Sequence, residues 1–167
     1  PIGFDNTYCL AVRRADAEAN DWWTISDLTA DAGGLRAGFT AEFMERPDGL
    51  PGLAERYELA FTDTVDLEPG LMYGAVAAGQ VDVIGAFATD GRIAELDLVV
   101  LEDDRDFFPP YDAAPVVRGE LLDRHPEVRA ALAVLAGTID DAEMRRLNAM
   151  VDVDGREPAA VAAAWLD

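Results

Sequence analysis

The sequence predicts an α/β lobe followed by a helical tail, and three observations carry that reading. Half of the 167 residues are apolar, which allows a packed core and argues against wholesale disorder. Strand-like and helix-like segments alternate up to residue 103. After the stiff stretch FFPPYDAAP (107–115) the pattern becomes wholly helical. Consecutive prolines remove two backbone donors and fix φ, so that stretch reads as a crossing between two parts of the fold.

Taken in order, TYCLAVRR (7–14) reads as a strand ending in polar sequence. TISDLTADAG carries a Thr24-x-x-Asp27 capping pattern and a glycine stop, so a short helix follows. GLRAGFT (34–40) is a second strand bounded by glycines. Residues 41–57 are helical in pattern but broken by RPDGLPG, which must turn. LAFTDTVDL (59–67) reads as a strand, and Pro69 and Gly79 bracket a helix. The apolar run QVDVIGAFAT (80–89) is typical of a buried strand. DGRIAELD supplies a helical turn or two, and LVVLED another strand. In the tail, Leu121, Val128, Leu132 and Leu135 recur at helical spacings up to a break at His125–Pro126 and beyond it. Asp140-x-x-Glu143 opens a second tail helix bearing Met144, Leu147 and Val151, and EPAAVAAAWL forms a third.

Charge narrows the function. With 13 basic residues, all arginine, against 33 acidic ones, the net charge is −20. Nucleic-acid phosphates demand a basic face, so nucleic acid is disfavoured as a partner, as is an anionic membrane surface. The single cysteine, Cys9, excludes an internal disulfide. No apolar run approaches the about 20 residues of a membrane span. The chain opens on PIGFDNTY with no signal peptide and reads as part of something longer.

Catalytic and metal-binding patterns are scarce. His125 precedes a proline at a helix break and reads as a surface residue; Cys9 reads as a buried, inert thiol. There is no HExxH, CxxC or glycine-rich phosphate cradle, so neither a metal nor a cofactor is expected. The acidic run EDDRD (102–106) reads as a solvated loop. What the chain offers instead is aromatics at strand and loop ends: Tyr8, Phe87 and Tyr111. With Arg46 they suggest a pocket of rings with one fixed cation beside it.

Several stretches carry a resemblance: GFDNTYCLAVR, TISDL, LRAGF, EFMERPDGLPGL, the long block from Asp66 to Arg118, and IDDAEMRRLNAMVD. They closely resemble the substrate-binding proteins of osmoprotectant ABC importers, which bind glycine betaine, choline, carnitine and similar quaternary ammonium compounds. The resemblance runs through essentially the whole chain, while the family's preceding segment, the first part of its lobe I, has no counterpart here. It implies a periplasmic-binding-protein fold of the second type, with residues 1–108 as lobe II and 109–167 as the hinge crossing and the helices returning to lobe I. It also implies a binding role rather than an enzymatic one, delivery to a membrane ABC permease, and an extracytoplasmic location.

Residue by residue, the resemblance puts Tyr8, Phe87 and Tyr111 at positions of an aromatic cage. Phe87 stands where several relatives have tyrosine. Asn6 falls beside the ligand, and Arg46 matches the arginine that holds the carboxylate in betaine-binding members. A small-molecule sensor built on the same lobe is an alternative, as is an acidic or Mg²⁺-dependent enzyme using EDDRD. The apolar faces of the tail helices, Trp165 included, must pack on the lobe or on another copy, so self-association is expected.

Overall fold

The computed structural model describes residues 1–166. Five strands form one mixed sheet in the order β3-β2-β4-β1-β5. They are β1 (Tyr8–Arg13), β2 (Arg36–Phe39), β3 (Asp63–Asp66), β4 (Val83–Phe87) and β5 (Leu98–Val100). β2 runs parallel to β3 and β4, whereas β1 runs antiparallel to β4 and β5. β1 alternates strictly: Leu10 and Val12 face one core, Cys9 and Ala11 the other. That period of two is what a strand buried on both faces requires.

The first face is covered by α2 (Ile25–Thr29), α3 (Ala41–Glu45) and α4 (Leu50–Tyr57), which bury Ile25, Leu28, Phe43, Leu53 and Tyr57. On the second face α5 (Pro69–Ala77) brings Met72, Tyr73 and Val76, and α6 (Arg92–Glu95) brings Ile93. Local signals set several starts. Thr24 and Asp27 form the reciprocal capping box of α2, and the Thr40 hydroxyl accepts from the Phe43 amide to start α3. One helix went unread in the sequence: α1 (Arg14–Asn20) leaves the end of β1 and buries only Ala17, so it carries no apolar stripe.

The tail contains α7 (Gly119–Arg124), α8 (Glu127–Ala133), α9 (Asp141–Asp152) and α10 (Pro158–Leu166). Asp140 caps α9 by accepting from the Glu143 amide at 2.8 Å, as the sequence motif requires. α9 docks on the loop after β4. There Arg145 and Asn148 donate to the carbonyls of Ala88 and Thr89, and a Cβ on Gly91 would lie 2.3 Å from the Ala149 nitrogen. α10 packs on α9 through Val161 and Trp165. The helical spacing of Leu121, Val128, Leu132 and Leu135 does form helices, but α7 and α8 bury no residue.

Candidate ligand-binding site

Antiparallel pairing puts the first residue of β1 opposite the last residue of β4, so Tyr8 and Phe87 meet across the strands. Their ring centroids lie 4.9 Å apart with planes inclined by 33°. Such close, tilted rings leave no slot for a ligand between them; they form one continuous surface. Phe43, from α3, packs on Tyr8 at 5.1 Å with its plane inclined by 52°.

The proline-bearing segment after β5 adds the rest. Phe108 lies 6.4 Å from Tyr8, and Tyr111 stands edge-on to Tyr8 at 6.0 Å and 88°. Tyr8 thus joins the three rings, lying beside Phe87 and forming a corner with Tyr111. All three residues are half-buried. Tyr111 is held by a second pass of the chain. Asp5 bridges Asp112, its carboxylate accepts from the Tyr111 amide at 2.7 Å, and its own amide donates to Asp141 at 2.8 Å.

Arg46 sits at the end of α3, in the RPDG turn. The turn is tight enough that a Cβ on Gly49 would approach the Phe43 carbonyl to 2.1 Å, hence the glycine. Arg46 is not a free cation. Its Nε and Nη2 donate bidentately to Asp48 at 2.8 and 2.6 Å, and its Nη1 donates to Glu42 at 3.0 Å. The Tyr111 hydroxyl donates to the same Asp48 at 3.1 Å, tying ring and ion pair together. Bonding to Arg46 pulls Asp48 down to about 2 and pushes the guanidinium up. Burial pushes both the Tyr8 and Tyr111 phenols up, helped by Glu42 at Tyr8 and by the bond to Asp48 at Tyr111, so both stay neutral.

Asn6 lies next to this surface. Its side-chain oxygen accepts from the hydroxyl of Thr89, the one buried polar residue among those described, at 2.6 Å, and its backbone N–H donates to the Tyr111 carbonyl at 3.4 Å. All five residues named from the sequence therefore fall around one end of the sheet. Sequence reasoning missed Phe43, Asp48, Asp5 and Thr89. Asp48 lay within the ERPDG motif, but only its pairing with Arg46 and Tyr111 gives it meaning.

EDDRD is more than a solvated loop. The Asp103 carboxylate accepts from the amides of Phe107 and Phe108 at 3.0 and 2.8 Å and from the Tyr57 hydroxyl. No metal-binding group of three or more acidic, histidine or cysteine side chains occurs among the described residues. His125 is exposed, and burial pushes the Cys9 thiol up to about 12, which keeps it protonated and inert.

The family described as the substrate binding domain of ABC-type glycine betaine transport systems matches residues 1–167. A glycine-betaine-binding protein of Pseudomonas aeruginosa is 40% identical over 177 residues, spanning 99% of this chain and 57% of the relative. A carnitine transport binding protein of Listeria monocytogenes is 38% identical over 165 residues, spanning 98% of this chain and 54% of the relative. The chain thus spans little more than half the length of the curated relatives it matches. Among solved structures, a glycine betaine/carnitine/choline ABC transporter overlays with a TM-score of 0.92 at 41% identity, over 99% of this chain and 61% of that one. The expected fold, that of the type II periplasmic binding proteins, is the one found.

Proposed function

Since the chain belongs to the family of substrate-binding domains of ABC-type glycine betaine transport systems, we propose that it binds a quaternary ammonium osmoprotectant on the Tyr8, Phe87 and Tyr111 rings. The ligand would be glycine betaine, choline or a similar compound, delivered to a membrane permease. The family is one of transport proteins rather than enzymes. Family members work outside the cytoplasm, and we place this chain there as well.

The observation that carries the proposal is the corner of rings beside an ionic cluster. A trimethylammonium group has no N–H to donate, so hydrogen bonds cannot hold it; its diffuse charge suits the negative faces of rings. Each well-placed, desolvated face contributes roughly 0.5–2 kcal/mol. Three rings therefore supply on the order of 2–6 kcal/mol before ordering costs. Arg46 with Glu42 and Asp48 sums to one negative charge, which reinforces attraction for a cation. Arg46 has five N–H donors, of which three are committed, so each Nη keeps one N–H for a ligand carboxylate. Such a bond would contribute about 1.5–3 kcal/mol. Glycine betaine would use it and choline would not.

Rings gathered on one side give weak binding unless a second surface closes over the ligand, as hinge closure does in such folds. The test is an NMR titration up to millimolar choline, glycine betaine and 3,3-dimethylbutanol, the uncharged isostere of choline. Saturable shifts of the three rings with both quaternary ammonium compounds and none with the isostere are expected. Equal responses to choline and its isostere would show that the rings recognise only apolar bulk.

A further inference from the structure

We propose that Asp103 is a positioning residue for the ring surface, acting with Tyr57 as a latch that sets where the crossing segment leaves the lobe. The inference builds on the ligand reading above, because it concerns how those rings are held.

Three observations carry it. First, one carboxylate organises the start of the crossing. Its Oδ1 accepts from the Phe107 amide and the Tyr57 hydroxyl, and its Oδ2 accepts from the Phe108 amide. Second, Tyr57 is fully buried at the end of α4, and its hydroxyl also accepts from the Arg105 amide at 2.7 Å. The turn is thereby locked to the lobe's core rather than to solvent. Arg56 and Arg105 reinforce it: Arg56 donates to the Arg105 carbonyl at 2.6 Å, and the Arg105 guanidinium lies 5.1 Å from the Tyr57 ring centre. Third, what is held bears directly on the rings. Phe108 packs against both Tyr8 and Phe43, each at 6.4 Å, and Phe107 packs edge-on against Phe108 at 5.0 Å. Two prolines of fixed φ then carry the set direction to Tyr111.

A carboxylate is required because every group facing it donates. An asparagine could accept at only one oxygen. Its amide nitrogen would then confront either the Phe108 amide, or the Phe107 amide and Tyr57. The predicted consequence is a looser crossing segment whose productive ring arrangement is only partly populated, which raises the apparent dissociation constant in inverse proportion.

The test uses Tyr57→Phe and Asp103→Asn, with Val76→Ala as a destabilising control on the opposite face of the sheet. Two quantities are read: nuclear Overhauser contacts between the Tyr8 and Phe108 rings, and the dissociation constant for choline. Both latch variants should lose ring contacts and bind choline about tenfold more weakly, as expected if a tenth of molecules keep the productive arrangement. Val76→Ala should lower the melting temperature and leave both readouts unchanged. If Asp103→Asn fails to fold, Tyr57→Phe, which keeps the ring, decides. Ring contacts and affinity that survive in Tyr57→Phe, or that follow melting temperature equally in all three variants, overturn the latch. If the unaltered chain binds no quaternary ammonium but the variants still lose ring contacts, the ligand reading falls and the positioning role stands.

Discussion

Replacing Tyr111 by alanine is the sharpest test of the ring surface. In the structure this ring makes an edge-on contact with Tyr8 at 6.0 Å and a hydroxyl bond to Asp48 at 3.1 Å, and it remains half-buried. Removing one ring face from a desolvated cation forfeits roughly 0.5–2 kcal/mol, which is about a 2- to 30-fold rise in the dissociation constant for choline. Folding should lose only these local contacts. The aromatic pair is worth about 0.5–1.5 kcal/mol, and no core side chain is removed. Tyr111→Phe separates the two parts: it keeps the ring face, and affinity should stay within about twofold. The assay is ring-resolved NMR titration of the three proteins, with thermal unfolding measured in parallel. Unchanged choline affinity in Tyr111→Ala would refute the reasoning. A loss as large in Tyr111→Phe would shift the role from the ring to the hydroxyl and its ion pair.

Other perturbations address the remaining contacts. Gly91→Ala should destabilise by about 1–3 kcal/mol, because its methyl group would meet the backbone of α9 at 2.3 Å, and a lowered unfolding midpoint checks this. Asp48 titrates below its ordinary value of 3.8 through bonding to Arg46, so its attraction is complete above that value and lost as pH falls through about 2; carboxyl carbon NMR should show this directly. Cys9, pushed up to about 12 by burial, should resist alkylation at neutral pH and react promptly only once denaturant opens the core. The exposed side chains of Val116, Val134 and Leu166 should promote self-association at high concentration, measurable by sedimentation.

How far the fold was legible depended on how local each signal was. The caps at Thr24, Thr40 and Asp140 are bonds between residues three apart, and two of the three were read directly from spacing. β4 was legible because a strand buried on both faces must be continuously apolar. β3 shrank from the expected nine residues to Asp63–Asp66, since an edge strand with exposed, acidic residues pairs only where β2 offers partners. α1 escaped notice because it buries a single alanine and has no stripe to read.

The site divides in the same way. Residue type alone determined much: aromatics at strand ends, an arginine before a proline, and a segment stiffened by two prolines. These are chemical properties that a side chain carries wherever it lies. What each side chain meets was decided only by the tertiary structure. The antiparallel register set Tyr8 beside Phe87 across 79 positions of chain, and the two passes at Asp5 and Asp112 aimed Tyr111. Asp103 makes the point most plainly. In sequence it is one acid in an acidic run, and its role exists only because the end of α4 delivers the Tyr57 hydroxyl to it from 46 residues away. Hydrogen bonds and ring contacts act over a few ångströms, so partners that distant in sequence become visible only when the chain has folded.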